Sequence, residues 1–133
     1  MSTDLPPRAP PAVGLDVVDV VRFRETLQRS GDGLERRVFT PAEWAYAATR
    51  ADRVDVLAAR FAAKEAVMKA LGTGWGAGVS FLDIEVLGGG RSKPELHLHG
   101  KAAELVAARG LLVSISLSHA GTTAAAVALA TPR

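Results

Sequence analysis

From Asp52 to Leu71 the chain runs twenty residues without a glycine or a proline, and Gly72-Thr73-Gly74 then breaks the run. That stretch predicts one long helix, rich in alanine and closed by glycine. At 100° per residue, Val54, Leu57, Ala58, Phe61 and Met68 line up as one apolar stripe. Glu65 falls in the middle of the stripe, and Lys69 stands one turn further on. An ionised glutamate is almost never fully buried unless paired, because losing its water costs about several kcal/mol. Glu65 therefore either pairs with Lys69 or serves something outside the helix.

The flanking sequence supplies strands and further helices. Residues 12–21 are apolar and β-rich, and their first half reads as a strand. Asp19 is placed to cap a helix that runs to about Ser30, and Gly31-Asp32-Gly33 is a turn. Thr40-Pro41-Ala42-Glu43 is a capping box with proline at the first helical position, opening a helix to about Ala51. After the long helix come the glycine-rich segment 75–78, a strand over 79–87, a turn at 88–90 and a strand over 95–99. A short helix at 101–109 precedes two strands, 111–118 and 123–130, joined as a hairpin at Ala120-Gly121. This order predicts an α+β domain with one largely antiparallel sheet packed against helices. Residues 1–11 hold four of the seven prolines and read as a disordered tail, leaving 12–133 as a single domain.

Composition narrows the function. The chain has 133 residues, 48% of them hydrophobic and 23% charged, which fits a globular domain. No run of about 18 apolar residues suggests a membrane span, and no basic-then-apolar leader is expected. A cytoplasmic location fits. Without cysteine there is no disulfide, thiolate metal site or cysteine nucleophile. The net charge of +2 permits an acidic partner and does not call for nucleic acid.

Two further features stand out. Asp16 lies between Leu15 and Val17 in the first strand, where aspartate is disfavoured and nothing nearby in sequence neutralises it. It either ends the strand and caps the next helix, a task for which Asp19 is better placed, or shares a cation with Glu65. Two carboxylates leave positions open for water and phosphate, which suits magnesium. Ser114-Ile115-Ser116-Leu117-Ser118-His119 ends a later strand, with the serines on one face and His119, Ile115 and Leu117 on the other. No G-x-S-x-G elbow accompanies them, so a serine hydrolase is disfavoured. The 72–78 segment matches neither a P-loop nor a dinucleotide-binding turn. With Lys64 and Lys69 nearby, the residues alone point to metal-assisted phosphoryl chemistry. The competing reading is a non-enzymatic basic α+β module for an acidic partner, resting on a pI near 9.4.

Three segments, in order, resemble the holo-acyl-carrier-protein synthases, the small stand-alone 4′-phosphopantetheinyl transferases. They are Val13-Gly14-Leu15-Asp16-Val17-Val18 followed by Arg22; Arg60 to Gly74, reading RFAAKEAVMKALGTG; and Ser114 to His119 followed by Ala124-Ala125-Ala126. Phe81-Leu82-Asp83-Ile84-Glu85 and Gly90-x-x-Lys93-Pro94 fit between them, so the resemblance spans about residues 12–130. It implies a 4′-phosphopantetheinyl transferase-like fold and transfer of the phosphopantetheine arm of coenzyme A to a serine of apo-acyl carrier protein. Asp16 and Glu65 would hold Mg2+, and Lys69 would contact the diphosphate. Lys64, Gly72, Ser118 and His119 would line the coenzyme A site. The resemblance also implies a homotrimer. Acyl carrier proteins are acidic, and Arg22, Phe23 and Arg24 on the first helix are the expected docking residues. Two departures are Ala120 after His119, where many relatives carry a polar or acidic residue, and the proline-rich tail.

Overall fold

A computed structural model describes residues 10–74, 78–89 and 92–133. Residues 1–9 of the tail expected over 1–11, most of the 75–78 segment and Gly90 of the expected turn lie outside them.

Strand β1 (Ala12–Asp19) leads directly into helix α1 (Val20–Ser30), whose first turn is capped by the Asp19 side chain accepting from Arg22 N. Helix α2 (Asp32–Val38) follows after Gly31, then α3 (Pro41–Ala48), which carries the expected Thr40/Glu43 capping box. Helix α4 (Arg53–Leu71) ends at Gly72, which takes the left-handed conformation with φ 69°. Its terminal carbonyls are met by Gly72 N and Thr73 N, donating to Lys69 O and Met68 O. A 3₁₀ turn (Phe81–Asp83) precedes β2 (Ile84–Leu87), β3 (Glu95–Leu98), α5 (Gly100–Arg109), β4 (Leu111–Ala120) and β5 (Thr123–Pro132).

Among the described residues all strand pairing is antiparallel, in two sheets: β1-β5-β4 and the hairpin β2-β3. The single sheet expected from sequence is therefore divided. Residues 79–83 are also not strand, because Ser80 and Asp83 close a capping box around the 3₁₀ turn. Helix α2 was not expected either. A glycine lies inside it, and its seven residues are too short to display a helical period.

Helix α4 forms the centre. It lies across the inner face of the three-stranded sheet and also touches α1, α3 and β2. It is buried nearly all round, so the single apolar stripe understates its contacts: Ala59, Ala62, Ala63, Ala66 and Ala70 are buried too. These alanines allow close approach. At Gly14 of β1 the approach is tightest, since a β-carbon there would stand 1.9 Å from Ala66 O and 2.8 Å from Ala70 N. Alternation places Gly14, Asp16 and Val18 on the face toward α4, and Val13, Leu15 and Val17 on the other. That outer face is apolar and open: Val13, Leu15 and Val17 are 61%, 58% and 61% exposed, and their β5 partners Leu129 and Val127 are exposed as well.

Candidate active site

Because Gly14 seats β1 on the Ala66–Ala70 stretch of α4, Asp16 reaches the same helix two residues later. Its Oδ1 accepts from Lys69 Nζ at 3.1 Å, and the same ammonium donates to Leu15 O at 2.9 Å. Lys69 thus bonds across to the strand rather than to Glu65, its neighbour one turn back. Glu65 is half-buried beside them. Burial pushes its pKa above the ordinary carboxylate range, the charge of Asp16 pushes it further, and Lys69 opposes. Two carboxylates close enough to repel each other are a natural seat for a divalent cation. No group of three or more histidine, aspartate or glutamate side chains suited to a metal occurs among the described residues. A cation held by Asp16 and Glu65 would take its other ligands from water and substrate, as magnesium does at phosphates.

A second polar site lies toward the N-terminal end of α4. Tyr46, Arg50, Asp52, Arg60, Gly89, Ser118 and His119 line a cleft of about 380 Å³. Arg60 is buried there at 3% exposure. Its guanidinium lies 4.7 Å from the Tyr46 ring centroid and Nη2 donates to Gly88 O at 2.6 Å, while its buried Nε has no hydrogen-bond partner among the described residues. His119 follows Ser118 at the end of β4, and its Nε2 is 3.8 Å from Asp52 Oδ2. Asp52 Oδ1 also accepts from Arg50 Nε at 3.1 Å. The cleft is thus rich in cations, and Arg60 and Arg50 in it were missed from sequence. The signal for Arg60 was present: an arginine opening the matching segment on a helix whose other residues at that level are apolar.

The two sites are separate within one chain. Asp16 pairs with Ala126, which pairs with Leu117, so β1 and the cleft edge on β4 stand about 10 Å apart across the sheet. Along α4, Arg60 and Lys69 are separated by roughly 13 Å.

Two expected site residues are placed elsewhere. Lys64, expected against coenzyme A, is wholly buried: its Nζ meets Glu43 Oε1 at 2.7 Å, Phe81 O at 3.0 Å and Ile84 O. Glu43 completes this network by accepting from Thr40 N and Val86 N, both at 2.9 Å. An ammonium with its three protons committed to internal oxygens has none left for a phosphate. Phe23 is the other correction. With Val20 and Leu27 it forms the core face of α1, is 8% exposed, and packs on Phe39 and Phe61 with ring centroids 6.4 and 5.5 Å apart. It offers no exposed anchor, whereas Arg22 and Arg24 on the opposite face are exposed. Gly72 is exposed at the end of α4.

Residues 12–128 match the family model described as the 4′-phosphopantetheinyl transferase superfamily, and the chain belongs to that family. Its relatives narrow the class. A holo-[acyl-carrier-protein] synthase of Edwardsiella ictaluri is 50% identical over 99 residues, 74% of this chain and 79% of that one. One from Geotalea daltonii is 44% identical over 115 residues, covering 86% and 92%. Among solved structures, an ACPS–CoA complex from Chronobacterium ammoniagenes superposes with a TM-score of 0.80 at 36% identity, covering 94% of this chain and 99% of that one. The Helicobacter pylori holo-[acyl-carrier-protein] synthase in complex with coenzyme A gives 0.77 at 30% identity, covering 90% and 99%.

Proposed function

We propose that this enzyme transfers 4′-phosphopantetheine from coenzyme A to a serine of apo-acyl carrier protein, giving holo-acyl carrier protein and adenosine 3′,5′-bisphosphate. The observation that carries the reading is the meeting of Asp16, Glu65 and Lys69, from elements about fifty residues apart, at one point on α4. Asp16 and Glu65 hold magnesium, which when bound draws charge from the diphosphate and improves the leaving group. Lys69 moves its ammonium from the Asp16 carboxylate toward the diphosphate, adding positive charge where negative charge develops. Leu15 O keeps the ammonium at that level of the strand.

The cleft at Arg50, Arg60, Ser118 and His119 takes the nucleotide end. Its distance from Lys69 within one chain supports a different phosphate there, the 3′-phosphate of coenzyme A. Gly72, at the end of α4, leaves room for the pantetheine arm. The open apolar face of β1 and β5 supports assembly through that sheet into a trimer. Residues 12–133 act as one domain, and the use of coenzyme A supports a cytoplasmic role in fatty acid biosynthesis.

The exposed Arg22 and Arg24 receive the acidic carrier. Arg22→Glu should raise the KM for carrier protein and leave that for coenzyme A nearly unchanged. An unchanged carrier KM removes Arg22 from the docking surface. The function itself is tested by mass spectrometry of an apo-carrier protein after incubation with this enzyme, coenzyme A and magnesium. A gain of one phosphopantetheine is expected, and an unmodified carrier at saturating coenzyme A would overturn the reading.

A further inference from the structure

Asp52 stands at the N-cap of α4, where an aspartate ordinarily accepts from the backbone of the first turn. Here its side chain makes no such bond. The carboxylate turns instead into the cleft, bonding Arg50 Nε at 3.1 Å with one oxygen and facing His119 Nε2 at 3.8 Å with the other. Arg50 follows the end of α3, and His119 lies at the hairpin end of β4. Asp52 is therefore a bridge between two exposed segments whose side chains line one cleft with the buried Arg60. The hydrogen bond from Arg50 is the main influence holding the Asp52 pKa below its ordinary value, with the charges of Arg50 and His119 adding to it.

We infer that Asp52 is a positioning residue for the nucleotide 3′-phosphate, holding Arg50 and His119 at the cleft so that they need not be ordered by the ligand. The inference rests on the cleft taking that phosphate, as argued above. Two effects oppose each other. A carboxylate beside an anion site repels the anion, and it also removes the conformational freedom of the Arg50 and His119 side chains. The carboxylate is about one-third exposed, so water screens the repulsion. The cost of ordering a long side chain is not screened in the same way. Positioning therefore outweighs repulsion. Lost orientation should also leave the chemistry at Asp16, Glu65 and Lys69 untouched, since that site is elsewhere on α4.

The test compares adenosine 3′,5′-bisphosphate with adenosine 5′-monophosphate, using calorimetry on the full chain and its Asp52→Asn variant. Removing the bridge should weaken the bisphosphate about threefold to tenfold, the factor for leaving one long side chain to be ordered on binding. The monophosphate should shift less than twofold. In turnover, the KM for coenzyme A should rise by the same factor, with kcat and the KM for carrier protein held. Asp52→Ser, which offers α4 a good cap, guards against a loss caused by folding and should behave like Asp52→Asn. Equal weakening of both nucleotides would mean a structural role and overturn the proposal. Unchanged or tighter bisphosphate binding would also overturn it, because repulsion would then dominate. If the unaltered protein preferred neither nucleotide, the assignment of the cleft itself would fall, and Asp52 with it.

Discussion

The carbonyl oxygen of Ala66 lies 1.9 Å from the point that a β-carbon on Gly14 would occupy, inside any allowed contact. The gap between β1 and α4 is set by this pair, and the pair sets how near Asp16 comes to Glu65 and Lys69. Backbone fills the space, so no side chain can swing aside to accommodate even one methyl group.

Gly14→Ala should therefore push β1 off the helix. Overpacking of this kind costs about 1–3 kcal/mol, occasionally more, so the melting temperature should fall by several degrees. Transfer activity should fall further than the remaining folded fraction explains, because Asp16 moves with the strand. Circular dichroism and turnover on one preparation check both. A variant with unchanged melting temperature and activity would show that the helix can yield.

The carboxylate pair predicts a particular pH dependence. The pKa of Glu65 in the folded chain lies above its ordinary value, so the native state binds more protons than the unfolded chain between those two values. This group's contribution to stability should fall as pH rises through that window, and the cost should persist at neutral pH. Magnesium should offset it. Melting curves should show magnesium stabilising the protein more at pH 7.5 than at pH 5, and Glu65→Gln should lose that pH-dependent gain. Asp16→Asn and Glu65→Gln should each lower kcat by at least ~100-fold, the scale of removing one transition-state charge contact. Stabilisation by magnesium of equal size in Glu65→Gln would separate the metal from this site.

The outer face of β1 predicts assembly. Light scattering should give a trimer, and Leu15→Glu should convert it to smaller species with reduced activity, since Leu15 is 58% exposed and opposite Val127. A fully active wild-type monomer would refute assembly through this face.

Lys64 and Glu43 predict an asymmetry. Removing one partner, as in Lys64→Met, leaves a buried charge and should cost about 3–5 kcal/mol. Replacing both, as in Lys64→Met with Glu43→Leu, should recover part of that loss. The folded fraction of the double variant should keep the KM for coenzyme A. A large rise in that KM at normal stability would return Lys64 to the ligand site.

Much of this was legible because it was local. Thr40 and Glu43 announced a capping box, Gly72 a helix end, and Ser114 to His119 an alternating strand. Val20, Phe23 and Leu27 recur at the spacing of one helix face, a signal that the expectation of Phe23 as a docking anchor passed over. What depended on distant partners could not be read. Lys69 had Glu65 as a neighbour in sequence and took Asp16 instead, 53 residues away. Lys64, next to Glu65 in a segment matching a transferase family, found its partner on α3 and its carbonyls beyond α4. The division into two sheets likewise depends on long-range pairing that no short window contains.

The eight residues of β1 carry two jobs in alternate positions: Gly14 and Asp16 face the helix, while Val13, Leu15 and Val17 face outward. A strand has a period of two, so losing or gaining one residue before Asp16 would exchange the faces. A valine or leucine would then meet Ala66 O, and the carboxylate would point away from Glu65. A single indel would thus cost the meeting of Asp16 with Glu65 and the apolar surface together. Engineered changes of length at this end of the chain are safe only before Ala12, where the ladder with β5 begins.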